Sequence, residues 1–219
     1  MGKNTVLTKP QRIVLDQISK SQYIIDNFYF TGGTVLSEFY LHHRFSDDLD
    51  FFTEKPYLQQ EIMNLISTIC AQYKWEYTAE IIESLYIFYI HIDNKNILKV
   101  DFSHYPHQRI EKGILYNQLQ VDSLMDIAIN KLTTIQQRSQ IKDFVDCYYL
   151  FEKFSIWDLI EGATIKFGLK IDPWVLSADL LNIDSFELMP KMIKPLTLEK
   201  LQHYFHSLAK KMGQRGVEM

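Results

Sequence analysis

The sequence predicts an α+β protein in which a strand-rich first part is followed by a helical second part. Two observations support this. β-Branched and aromatic residues, which favour strands, concentrate between residues 75 and 102. From Ser123 onward apolar residues recur at the three-to-four-residue spacing of helices. We therefore divide the chain into a mixed α/β core at residues 1–121 and a helical subdomain at residues 122–219.

The first elements are identified by their boundary residues. Thr8, followed closely by a proline, is typical of a helix start. A short strand at 28–30 is interrupted by the glycines of 32–34, which open a second helix. Residues 48–52 have the composition of the next strand, and 58–73 has helical spacing. The glycines should therefore lie at a strand-to-helix turn.

The predicted strands of the first part end in a hairpin. Residues 75–92 are strand-like, 93–96 is a polar turn, and 97–102 returns as a strand. Side chains alternate along a strand, so Lys99 and Asp101 should share one face.

Composition and charge limit the classes of function. Hydrophobic residues make up 47% of the chain and aromatic residues 14%, which predicts a well-packed globular protein. The net charge of -4 argues against a uniformly basic nucleic-acid-binding protein. No apolar run approaches the roughly 18 residues that span a bilayer. Both cysteines have the context of buried thiols, so we expect a cytoplasmic protein without membrane partners.

Three separate features suggest one phosphate and metal site. The turn of Gly32, Gly33 and Thr34 would offer backbone N–H groups and a hydroxyl to a phosphate. Asp48 and Asp50 would project from one strand face with Cα atoms roughly 6.5 to 7 Å apart. Carboxylates at this spacing are suited to bridging two divalent cations, with a third carboxylate completing the shell.

Asp101 is the candidate for that third carboxylate. Each feature also has a simpler interpretation. The glycine turn is compatible with an ordinary helix start, the acidic run with a solvated strand edge, and Asp101 with the end of a strand.

A second group of charged residues lies in the helical part and has two interpretations: Lys131, Arg138, Lys142, Asp143 and Asp146. The spacing of Lys142 and Asp146 is that of an ordinary surface ion pair on a solvated helix face. Alternatively, Lys131 and Lys142 neutralise nucleotide phosphates while Asp143 orients a basic side chain.

These motifs resemble the nucleotidyltransferases of the AbiEii/AbiGii toxin type, the effectors of type IV toxin–antitoxin and abortive-infection systems. The similarity runs from about Phe28 to Phe205. It is carried by four segments, 30–36 with 43–52, 99–102, 126–132 with 138–146, and 189–195.

The resemblance implies a polymerase β-like nucleotidyltransferase fold, with a mixed sheet flanked by helices and a C-terminal helical subdomain. By the same resemblance, Gly33 and Thr34 hold the triphosphate of an NTP, and Asp48 and Asp50 bind two Mg²⁺ ions. Asp101 would ligate metal or accept the attacking proton. Lys131 and Asp143 match the third motif region.

The function implied is transfer of a nucleoside monophosphate from an NTP to a hydroxyl, with RNA such as tRNA as the expected acceptor, by a toxin with a cognate antitoxin. The alternative is a catalytically silent protein that binds nucleotide or a partner on the same scaffold. Retention of three mutually repelling carboxylates favours catalysis.

Overall fold

The computed structural model describes residues 5–138 and 140–216, and these form two compact units. Unit 1 comprises the described residues of Met1–Tyr40, together with Ser46–Gln108 and Lys112–Ser123. Unit 2 comprises Leu41–Phe45, Arg109–Glu111 and the described residues of Leu124–Met219. Two short segments that precede the helical part of the chain, 41–45 and 109–111, therefore belong to unit 2.

Unit 1 is built on a mixed sheet of seven strands in the order β3-β4-β5-β2-β1-β7-β6. Its strands are β1 (Tyr29–Thr31), β2 (Leu49–Thr53), β3 (Glu76–Ile82), β4 (Leu85–His91), β5 (Ile97–His104), β6 (Leu115–Tyr116) and β7 (Leu119–Val121). Its helices are α1 (Lys9–Ile18), α2 (Gln22–Asn27), α3 (Gly32–Val35), which continues into a π-helical turn at Leu36–Leu41, and α4 (Gln59–Tyr73).

The centre of the sheet fixes which face is apolar. β2 pairs antiparallel with β1 and parallel with β5, so Phe30, Phe51 and Phe102 lie in one row. Their rings stack with centroids 5.0 Å apart at each step, and all three are fully buried. Because strand side chains alternate, the neighbouring row, which contains Asp50 and Asp101, faces the opposite side.

Unit 2 consists of helices α5 (Leu124–Gln137), α6 (Ile141–Leu150), α7 (Ile156–Phe167), α8 (Pro173–Leu180), a 3₁₀ turn (Leu181–Ser185) and α9 (Leu198–Gly216). Phe144 packs edge-on against Phe205 at 5.1 Å, and both are buried. A Cβ at Gly162 would lie 2.5 Å from Ile129 Cδ1, so this glycine lets α7 approach α5. None of the helices in the described parts of the chain combines the length and apolarity needed to cross a membrane.

Most elements expected from the sequence are confirmed. Thr8 caps α1 through a capping box with Gln11, and the turn at 93–96 joins β4 to β5 in an antiparallel hairpin. The π-helical turn after α3 and the small β6–β7 hairpin were not predicted. The two residues of β6 and three of β7 are too few to show an alternation of apolar and polar side chains, and no adjacent glycine turn into a helix marks them as one marks β1.

Candidate active site

The pairing of β2 with β5 brings two of the predicted catalytic carboxylates together. Asp50 and Asp101 are direct partners in the parallel register, so they share one face of the sheet. Asp101 is buried and Asp50 is half-buried. The possibility that these carboxylates point to opposite faces is therefore excluded.

Asp48 lies one residue before β2 and is positioned by its main chain. The Thr34 hydroxyl donates to the Asp48 carbonyl oxygen. Gln11 Nε2 donates to the carbonyl oxygens of Ser46 and Asp47 at 2.8 and 3.1 Å. Three successive main-chain carbonyls of the acidic segment are thus held by side chains from other parts of unit 1. The Thr34 hydroxyl would have to change partner to bind phosphate, and this role stays a prediction.

Gly32 closes one side of the site. Its φ is +81°, a left-handed conformation that side-chain-bearing residues rarely adopt. A Cβ at this position would lie 2.1 Å from Asp50 Oδ2. Both the backbone conformation and the close carboxylate therefore require glycine here. The predicted strand-to-helix turn thus lies beside the row of Asp50 and Asp101, which we call the acidic row together with Asp48.

The side chain of Lys99 places a positive charge within the acidic row. It lies two residues before Asp101 on β5, and its Nζ forms an ion pair with Asp101 Oδ2. Burial alone would lower the pKa of Lys99, but the hydrogen bond to Asp101 and the charges of Asp101, Asp48 and Asp50 outweigh it. The pKa of Lys99 is consequently raised above its usual value.

The acidic group fits a magnesium site in its chemistry more than in its present geometry. Carboxylate oxygens are the ligands that Mg²⁺ prefers, and three such residues lie near one ammonium. Across residues 5–138 and 140–216, however, no three His, Cys, Asp or Glu side chains are arranged as a ready metal site.

Unit 2 contains a second charged group, the buried cluster of His43, Arg44, Lys131, Asp143 and Asp146. Arg44 binds Asp146 with two nitrogens, Nε to Oδ1 at 2.6 Å and NH2 to Oδ2 at 2.8 Å. His43 Nε2 lies 2.7 Å from Asp146 Oδ1. Lys131 Nζ lies 2.7 Å from Asp143 Oδ1 and 2.6 Å from Asp146 Oδ2.

These contacts overturn the interpretation of α6 as a solvated face with an ordinary surface pair. Asp143 and Asp146 are fully buried, and Lys131 is 8% exposed. Burial alone would raise the pKa of Asp146, but the charges of Lys131 and Arg44 and the bonds from His43 and Arg44 hold it well below its usual value. Burial opposes the charge of Lys131, yet the two carboxylates raise its pKa.

The expected pairing of Asp143 with a basic side chain is observed, because Asp143 binds Lys131. Arg138 reaches Asp143 Oδ2 at 3.4 Å from a half-exposed position. Lys142 is half-buried. Binding of nucleotide by Lys131, Lys142 and Asp143 stays a prediction.

His43 and Arg44 were not recognised as members of this cluster from sequence. Their partner Asp146 lies about a hundred residues further along the chain. The available signal was that Asp143 and Asp146 lie among the apolar residues Phe144, Val145 and Cys147, where a buried carboxylate requires a partner.

Comparison with known proteins identifies the family of the chain. The family model described as nucleotidyl transferase AbiEii toxin, type IV TA system, matches residues 13–203. An uncharacterized protein of Aquifex aeolicus is 35% identical over 159 residues, which cover 71% of each protein.

Solved structures share the fold. JHP933 from Helicobacter pylori has a TM-score of 0.58 at 16% identity, with 97% of this chain and 95% of that one covered. MenT4, a nucleotidyltransferase toxin from Mycobacterium tuberculosis H37Rv, has a TM-score of 0.50 at 14% identity, covering 94% of this chain and 87% of that one. The fold is thus that of the polymerase β-like nucleotidyltransferases, with a mixed sheet flanked by helices. With the family match spanning most of its length, the chain belongs to the AbiEii nucleotidyltransferase toxins of type IV toxin–antitoxin systems.

Proposed function

We propose that this nucleotidyltransferase moves a nucleoside monophosphate from an NTP to a hydroxyl group with the help of two Mg²⁺ ions. The observation that carries the proposal is the row formed by Asp50 and Asp101 on adjacent parallel strands. Asp48 extends the same face by strand alternation. Family membership supports the transfer reaction, and the acidic row supports its dependence on metal.

In this proposal Asp48, Asp50 and Asp101 hold the metal. The bound ions would supply positive charge to the attacking oxygen and to the leaving pyrophosphate. A bond forms between the acceptor oxygen and the α-phosphorus, and the bond from that phosphorus to pyrophosphate breaks. Asp101 is also the candidate acceptor for the proton of the attacking hydroxyl.

The nucleotide is assigned to the glycine turn. Gly33 and Thr34 would bind the triphosphate through backbone N–H groups and the threonine hydroxyl. Gly32 supports this indirectly, because its left-handed backbone brings the turn against Asp50. Lys131 and Lys142 are proposed to pair with phosphate oxygens, and Asp143 to orient Lys131, which it contacts at 2.7 Å.

The proposed acceptor is RNA, with a tRNA end as the first candidate, and the proposed partner is a cognate antitoxin. Both rest on membership of the toxin family. The protein would then act as the toxic component of a toxin–antitoxin or abortive-infection system.

A radiolabelled transfer assay tests the proposal. Each of the four NTPs, labelled at the α-phosphate, is incubated with total RNA and Mg²⁺, with EDTA in a parallel reaction. We expect Asp50→Asn to lower transfer at least about a hundredfold, or about 2.7 kcal/mol of transition-state stabilisation. Asp47→Asn is the matched control, because Asp47 is the exposed neighbour in the same acidic run and its backbone contact to Gln11 is retained.

Two results would contradict the proposal. Equal transfer by wild type and Asp50→Asn would show that the acidic row takes no part in the reaction. Full activity in EDTA would show that the reaction does not depend on a divalent metal. Nucleotide binding without transfer to any RNA would favour the alternative of a catalytically silent binding protein.

A further inference from the structure

The acidic row contains a feature that metal binding alone does not explain, namely a lysine in direct contact with one of the expected ligands. Lys99 and Asp101 occupy the same face of β5 because they are two residues apart. Asp50 on β2 is the direct partner of Asp101, and Lys99 also interacts electrostatically with Asp48 and Asp50. The ammonium is thus surrounded by the carboxylates proposed to hold Mg²⁺.

The contact is an ion pair in a partly enclosed position. The Lys99 side chain is 31% exposed and that of Asp101 is 10% exposed. A lysine ammonium is fully charged at neutral pH and occupies space at the carboxylate that a cation would otherwise use. Lys99 and a divalent ion bound to the same oxygen of Asp101 would therefore exclude each other.

We propose that Lys99 is an internal counter-cation that offsets the charge of Asp101 in the metal-free protein and must leave Asp101 Oδ2 before this carboxylate can ligate a divalent ion. This inference rests on the proposed function, since it concerns the same site.

The proposal has two physical consequences. Removing the positive charge leaves three carboxylates that repel one another, so the metal-free protein should lose stability. The same removal ends the competition for Asp101, so a divalent ion should bind more tightly. If Lys99 had only a structural role, its replacement would lower the stability of the protein equally with and without metal.

The test is calorimetric titration of the full chain with MnCl₂, comparing wild type with Lys99→Met. We expect the dissociation constant of the variant to be lower by about tenfold, which corresponds to about 1.4 kcal/mol. Lys95→Met is the matched control, because Lys95 is an exposed lysine in the turn before β5. Asp50→Asn should lose binding in either background.

A second measurement separates the proposed role from simple stabilisation. Thermal unfolding followed by circular dichroism should show a lower Tm for Lys99→Met in EDTA and a larger rise on addition of Mn²⁺ than wild type shows. If Lys99→Met folds poorly, Lys99→Gln carries the test, since its amide can still donate to Asp101 without a charge.

The outcomes distinguish this inference from the proposed function. Unchanged or weaker Mn²⁺ binding by both Lys99 variants, with binding and transfer by the wild type intact, would overturn the role of Lys99 alone. Absence of Mn²⁺ binding in wild type and variants alike would overturn both proposals. Binding that appears only when Lys99 is replaced would strongly support the competition.

Discussion

The acidic row of unit 1 and the buried cluster of unit 2 use the same residue types in opposite ways. The row places three aspartates around a single lysine and is partly open to solvent. In the cluster, Arg44 and Lys131 balance Asp143 and Asp146, and all four are buried. A row of three carboxylates near solvent with one lysine among them is suited to a cationic ligand, whereas a balanced charge without solvent is suited to holding elements together.

The prediction with the largest expected effect tests this comparison through the stability of the protein. Asp146→Asn removes the carboxylate shared by His43, Arg44 and Lys131, leaving buried cations with one remaining counter-charge. We expect a loss of about 3–5 kcal/mol in the free energy of unfolding. The measurement is urea denaturation followed by circular dichroism.

Asp50→Asn is the matched variant from the acidic row, and its stability should change by no more than about 0.5 kcal/mol. Glu161→Gln, at an exposed position on α7, controls for loss of a carboxylate elsewhere in unit 2. Equal losses for Asp146→Asn and Asp50→Asn would show that the two groups do not differ in the way described.

We expect a smaller loss of stability for Lys131→Met. This variant sharpens the comparison because it tests whether Lys131 only stabilises the buried cluster or also binds nucleotide. Asp143 and Asp146 lose one partner but keep Arg138 and Arg44, so we expect a loss of about 1–3 kcal/mol in stability. If Lys131 contacts phosphate as proposed, the variant should also bind a nonhydrolysable NTP more weakly, with a smaller effect on Mg²⁺ binding. Calorimetry measures both.

Lys153→Met is the control, because Lys153 is an exposed lysine of unit 2. A loss of stability with unchanged nucleotide affinity would assign Lys131 to the buried cluster alone and withdraw its proposed role in phosphate binding.

The smallest expected effect is on how the stability of the protein depends on pH, through the buried side chain of His43. Burial lowers the pKa of His43 below its ordinary value of 6.5, despite the opposing bond and charge of Asp146, and the charges of Arg44 and Lys131 lower it further. Its Nδ1 has no hydrogen-bond partner among the described residues, so the neutral ring with Nε2–H donating to Asp146 is favoured.

The sign follows from proton binding. Below pH 6.5 the unfolded chain protonates His43 before the folded protein does, so stability falls as pH decreases. The loss is at most about 1.4 kcal/mol per pH unit for one proton. Denaturation series at pH 7, 6 and 5 should give a smaller slope for His43→Gln than for wild type. His203→Gln, at an exposed position, should keep the wild-type slope, and an unchanged slope for His43→Gln would contradict the burial of a neutral ring.

Sequence reasoning located the acidic row because it depends on local geometry. The two-residue period of a strand places Asp48 with Asp50 and Lys99 with Asp101, and the family motif connects the two strands. The direct pairing of Asp50 with Asp101 could not be read in this way, because strand order is not encoded in a local period.

The buried cluster depends on the tertiary fold, which explains why it was less predictable. Arg44 follows the π-helical turn and contacts a residue on α6, so neither sequence spacing nor helix periodicity relates the two. The ion pairs expected at spacing i,i+4 on a helix surface were wrong for Asp146, since its partners come from other segments.

The anchoring of residues 46–48 by main-chain carbonyls has a consequence for how such a toxin can be inactivated in nature. Thr34 and Gln11 hold this segment whatever side chain follows the backbone. An allele that loses an aspartate should thus still accumulate as a folded protein with its surface unchanged. Under the proposed function, such an allele would be silent in chemistry yet able to bind the proposed partners of the active form, so inactivation of the gene and disappearance of its product would be separate evolutionary events.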